Sequence, residues 1–108
     1  MLAVTDETFS TEVLEASKNN VVIVDFWADW CGPCKILTPL LEKLSQELDD
    51  VKFVSANVDD CGLKAGEYLV MSVPTLLFVK EGNVKDRIAG ANPAMTEQIQ
   101  RILESLKG

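Results

Sequence analysis

Histidine is absent from all 108 residues. Without imidazole there is no Cys-His or Ser-His nucleophilic pair and no metal site that uses a ring nitrogen. Proton transfer is left to carboxylates, lysines, the single tyrosine, thiols or water. Basic residues are also few: 10 Lys and Arg stand against 17 Asp and Glu, for a formal net charge of −7. That balance argues against nucleic acid as a partner, because phosphate recognition needs clustered Lys and Arg. No apolar run approaches the roughly 20 residues needed to span a bilayer, so no membrane partner is expected. The first twenty residues carry Asp6, Glu7, Glu12 and Glu15 but no basic n-region, so no secretory signal is visible. A cytoplasmic protein is the expectation, and lasting structural disulfides are rare in that compartment.

What is present reads as one folded unit. Hydrophobic residues make up 47% of the chain and charged residues 25%, which excludes the composition of a disordered segment. The length predicts a single domain over 1–108, long enough for one core, with no repeat or linker in sight. "TDETFSTEVLEASK" predicts a helix with Thr5 or Asp6 as N-cap and Phe9, Val13 and Leu14 inward. "VVIVDFWA" (21–28) is β-branched and apolar on both faces, the pattern of a central strand covered by helices. From Cys34 a second helix follows, with Ile36, Leu37, Leu40, Leu41, Leu44 and Leu48 on its apolar stripe and a kink expected at Pro39.

"VKFVSANV" (51–58) predicts another interior strand, and a short helix falls within 60–69. "PTLLFVKEGNVKDRIAG" predicts a hairpin around Glu81-Gly82-Asn83. "TEQIQRILESLK" closes the chain as an amphipathic helix with Ile99, Ile102, Leu103 and Leu106 inward. With Leu2–Val4 as a possible edge strand, alternating strands and helices predict an α/β fold whose mixed sheet lies between helices.

The chemistry sits in "ADWCGPC" (28–34). Cys31 and Cys34 fall where a strand ends and a helix begins. The free N–H groups and dipole of a helix N-terminus stabilise an anion, typically by about 0.3–1 kcal/mol and at best about 2. Since one pKa unit is about 1.36 kcal/mol, that is enough to lower a thiol by about one unit from its ordinary value near 8.5. At i and i+3, both sulfurs can reach one disulfide without unfolding the turn. Pro33 in the first helical turn gives up an N–H that has no partner there. Gly32 removes a side chain from the path of an incoming partner. A zinc half-site would need two more ligands, and Cys61 alone cannot complete it. A structural disulfide and two incidental core thiols are the other readings. A Cys-x-x-Cys beside a βαβ pattern favours redox chemistry over all three.

Together "VDFWADWCGPCK", "NVD", "SVPTLLFVKEGNV" and "AGA" resemble the thioredoxin family across essentially the whole chain. The resemblance implies a five-stranded mixed sheet flanked by four helices. It implies that Cys31 is the attacking thiol, Cys34 the resolving thiol, Asp25 the buried acid/base for Cys34, and Pro74 a cis-proline facing the disulfide. Gly32 and Pro33 would tune the redox potential toward reduction. Trp30, Val73, Pro74, Gly90 and Ala91 would form a flat apolar surface for substrate, with Trp27 packed beneath. No metal and no bound cofactor are implied. The implied partners are thioredoxin reductase and client proteins containing disulfides, with the chain itself a monomer. The implied activity is protein-disulfide reduction by a thiol–disulfide oxidoreductase. A redox-independent binding subunit is the rival from another class, and an oxidase or isomerase the rival within the chemistry.

Physical readings stand beside the resemblance. Asp25 interrupts an apolar strand, and burial would raise its pKa into the range where it exchanges protons near neutrality. A capped aspartate near the strand end is the plainer alternative. A cis bond before Pro74 would leave the backbone of Val73 free to pair with an extended substrate, whereas an ordinary turn proline would be trans. Both tryptophans could instead belong to the core. Lys35 could add positive potential near Cys31 or simply be solvated. Many members of the family place a lysine opposite the buried aspartate; here the position is Ser55, which cannot neutralise it. Cys61 is an additional thiol, expected to be passive near a helix start.

Overall fold

The structure, a computed structural model, describes residues 1–107. Its elements are β1 (Leu2–Ala3), a helical segment (Ser10–Lys18), β2 (Val21–Trp27), α1 (Gly32–Glu47), β3 (Val51–Asn57), α2 (Gly62–Glu67), β4 (Thr75–Lys80), β5 (Asn83–Ala89) and α3 (Met95–Leu106). The five strands form one sheet in the order β1-β3-β2-β4-β5. β3 pairs in parallel with both β1 and β2, while β4 runs antiparallel to β2 and β5. This is the mixed sheet between four helices that the sequence predicts.

β2 is central because its side chains are apolar on both faces. Val22, Val24 and Phe26 point to a core shared with Phe9, Val13, Val54, Ala56, Ala65 and Leu77. Alternation sends Ile23 to the opposite face, against Leu37, Leu41, Leu44, Leu76, Phe78, Ile99 and Leu103. Asp25 and Trp27 share that second face, under α1 and beside Ser55, which is the register partner of Asp25 on β3.

Several local expectations are corrected. The first helix is not α: it is π-helical over Ser10–Glu15 and 3-10 over Ala16–Lys18. Its buried residues Phe9, Val13 and Ser17 recur every four positions, more than the 3.6 of an α-turn, and the wider π turn lets all three face the sheet. Ser17 is also pinned from outside, since Gly82 N–H donates to its Oγ at 2.8 Å and Glu81 N–H to its carbonyl at 2.8 Å.

Asp6 does not cap its own helix. Its carboxylate accepts from Leu63 N–H at 3.3 Å and Lys64 N–H at 3.0 Å, so it caps α2 instead. Thr5 and Thr8 bond each other at the start of the first helix.

The hairpin turn is two residues, Glu81 at φ 55° and Gly82 at φ 79°, and Asn83 already pairs with Lys80. Positive φ at both positions is the mirror-type turn that matches strand twist. α1 runs as one helix through Pro39, whose ring stands where an N–H would bond Lys35. Ile36 is 78% exposed rather than on the inner stripe, because Leu37, Leu41 and Leu44 already fill the face toward the sheet. Ile102 and Leu106 of α3 are half-buried beside the buried Met95, Ile99 and Leu103.

Candidate active site

The carboxyl ends of β2 and β3 and the start of β4 meet at one end of the sheet, and the two thiols stand there. Cys31 is the N-cap of α1, in extended conformation just outside the first turn. Its Sγ accepts the Cys34 N–H at 3.2 Å, so the free N–H of a helix start is aimed at sulfur. Cys31 and Cys34 are joined in a disulfide with Cα atoms 5.4 Å apart, the ordinary spacing for such a bridge. Both are nearly buried, in a small apolar group with Ala28, packed by Trp27, Val58 and Val73. Pro33 falls in the first turn of α1, where its missing N–H costs nothing.

Of the other residues singled out in the sequence, Trp27 and Val73 pack against this pair. Trp30 is 74% exposed, Gly32 and Pro33 are exposed, and Trp27 packs beneath, so the two tryptophans divide as expected. The Val73–Pro74 bond is cis. Val73 lies against the disulfide group, and Pro74 is buried. Gly90, at φ 85°, donates its N–H to Pro74 O at 2.7 Å, which holds the end of β5 to the cis-proline loop. Ala91 follows and is exposed. Lys35 is exposed and lines a shallow groove with Trp27, Asp29, Cys34, Thr38 and Pro39.

Asp25 is 1% exposed, and neither carboxylate oxygen has a hydrogen-bond partner. Burial pushes its pKa up to about 7. No cation answers it across the strands, because Ser55 is its register partner. On the same face a cavity of about 220 Å³ is lined by Met1, Trp27, Thr38, Glu42 and Ser55. Trp27 Nε1 is also buried without a partner. The cavity is lined by Trp27 and Ser55 but not by Asp25 itself. Sequence reasoning missed Thr38, Glu42 and Met1. Thr38 was within reach, one turn after Cys34, whereas Met1 and Glu42 come together only through the pairing of β1 with β3.

Cys61 stands apart, fully buried at the start of α2 with its thiol donating to Val4 O at 3.5 Å. Burial, then the charges of Asp6, Asp60 and Glu7, push its pKa up to about 11. With that value the thiol stays protonated at neutral pH. Among the described residues, no three His, Cys, Asp or Glu side chains gather as a metal site. Nor is any helix long and apolar enough to cross a membrane.

The chain is similar to known proteins along most of its length. The family model described as Thioredoxin matches residues 1–105. The thioredoxin of Bacillus subtilis (strain 168) is 46% identical over 102 residues, covering 92% of this chain and 94% of its own. That of Rickettsia typhi is 48% identical over 88 residues, covering 81% and 82%. The X-ray structure of Fasciola hepatica thioredoxin superposes with a TM-score of 0.84 at 34% identity, over 94% of this chain and 98% of that one. With the dithiol at its helix start and the fold matched throughout, this chain belongs to the thioredoxin family, and its Cys31–Cys34 pair is the redox-active disulfide of a thiol–disulfide oxidoreductase that reduces protein disulfides.

Proposed function

We propose the following division of labour for the reductase reaction. In the reduced protein the Cys31 thiolate, held at the N-terminus of α1, attacks one sulfur of a client disulfide. The client S–S bond breaks, its second sulfur leaves as a thiol after taking a proton, and a Cys31–client mixed disulfide forms. Cys34 then gives its proton to the Asp25 carboxylate through water and attacks Cys31 Sγ. The mixed disulfide breaks, the client's first sulfur leaves and takes the proton back from Asp25, and the Cys31–Cys34 disulfide remains. Two electrons have moved to the client, with one proton from Cys34 by way of Asp25 and one from solvent. A carboxyl with a pKa near 7 takes and returns a proton at neutral pH, which suits Asp25 to this exchange.

The client is held as an extended segment against Trp30, Val73, Pro74, Gly90 and Ala91. Neither the N–H nor the C=O of Val73 has a hydrogen-bond partner among the described residues, which supports pairing with a client backbone. Gly32 and Pro33 set the potential on the reducing side. Thioredoxin reductase returns the electrons, and the protein works as a single-domain monomer in the cytoplasm without metal or bound cofactor. The observation that supports this assignment is the Cys34 N–H bond onto Cys31 Sγ, a donor placed to stabilise an anion on Cys31 once the disulfide is reduced. Insulin reduction with a generic dithiol as electron source tests it. Cys31→Ser is expected to abolish turnover and covalent capture of client. Cys34→Ser is expected to abolish turnover but accumulate the mixed disulfide at Cys31. Capture at Cys34 instead would overturn the roles.

A further inference from the structure

α2 ends in a Schellman turn, with Val70 N–H donating to Ala65 O at 2.8 Å and Leu69 N–H to Gly66 O at 3.2 Å. The residue that closes such a turn takes a left-handed φ, and Leu69 does so at 57°. Glycine is the usual occupant, because a Cβ is strained in that region. Yet Leu69 is 69% exposed, so no burial offsets the strain. Met71, two residues on, is 89% exposed, more than any other large apolar residue described. Arg87 of β5 donates to Tyr68 O at 2.8 Å and Leu69 O at 3.3 Å, fixing this turn to the sheet. The fold thus holds two large apolar side chains in water on a braced loop and gains nothing from them.

Their position supplies a reason. Val73 packs against the disulfide group, and the Cα of Met71 lies within about 7 Å of it along the chain. A client strand paired with the open Val73 backbone lies beside the loop that carries Met71, and alternate side chains of a strand face the same way. We propose that Leu69 and Met71 extend the client-docking face and select disulfide segments that carry a large apolar side chain within two residues of the reacting cysteine. This rests on the reductase reading above.

The test uses two disulfide-linked peptides, identical except for leucine or serine two residues from the cysteine. The unaltered protein is expected to show a higher kcat/KM for the leucine peptide. Leu69→Gly combined with Met71→Ser is expected to lower the leucine-to-serine ratio about tenfold, while Met71→Leu preserves it. Leu69→Gly alone is expected to raise the urea midpoint, which separates client selection from damage to the fold. Equal losses on both peptides, no preference in the unaltered protein, or an effect confined to the KM for the reductase would each overturn the docking surface alone. Reduction of neither peptide would overturn the reductase reading and this surface with it.

Discussion

Replacing Asp25 with asparagine should stabilise the oxidised protein, and by an amount that depends on pH. The carboxyl is raised from 3.8 to about 7 by burial alone. A shift of about 3 units is worth about 4 kcal/mol, the free-energy difference between keeping it ionised inside and in the unfolded chain. Below pH 3.8 both states hold the proton and this cost is zero. As pH rises from 3.8 toward 7 the unfolded chain loses its proton first, so native stability falls. Above 7 the whole of the roughly 4 kcal/mol is missing. Asparagine has the same shape and cannot ionise. The variant should therefore match the parent near pH 3.5 and exceed it by up to about 4 kcal/mol at pH 8. With m near 2 kcal/mol/M, typical of small domains in urea, the midpoint gain at pH 8 is about 2 M. Urea unfolding of both proteins across this range is the assay. A gain that does not change with pH, or a loss at pH 8, would refute the reasoning, because either would mean that burial does not penalise the ionised form of Asp25.

Ser55→Lys places a cation opposite Asp25 and should lower its titration midpoint by one unit or more, followed through the carboxyl carbon by NMR; an unmoved midpoint would show that the two positions do not communicate. Asp6→Ala removes the acceptor for Leu63 and Lys64 N–H and should cost about 1 kcal/mol. The loss should appear first as faster amide exchange in α2, and unchanged exchange there would contradict the cap.

Much of this architecture was legible because single segments declare themselves. β2 shows apolar residues on both faces, and only a central strand under two layers of helices explains that. Asp25 stood out as a charge inside the run, and the Cys31–Cys34 spacing at a strand-to-helix junction needed no tertiary knowledge. What escaped depended on contacts far apart in sequence. Asp6 reads as a cap for the helix beside it, but its carboxylate reaches α2, 57 residues away. Ser17, just after the π turn at Ser10–Glu15, is tied to the hairpin across 65 residues. Ile36 fits a helical stripe as well as Leu37 does, and only the packing of α1 on the sheet decides which one is buried. The cavity lined by Trp27 and Ser55 adds Met1, which precedes β1, and Thr38 and Glu42, one turn apart on α1.

The account turns on Cys31 being the reactive sulfur, and its alkylation measures that directly. The fully reduced protein is treated with iodoacetamide at pH 7 and the modified residue is identified by peptide mapping. Cys31 should react several-fold faster than cysteine in an unstructured peptide, with Cys34 and Cys61 unmodified over the same interval. If Cys31 reacts no faster than the free peptide, or Cys34 is modified first, the helix start does not activate this thiol and the mechanism built on it is wrong.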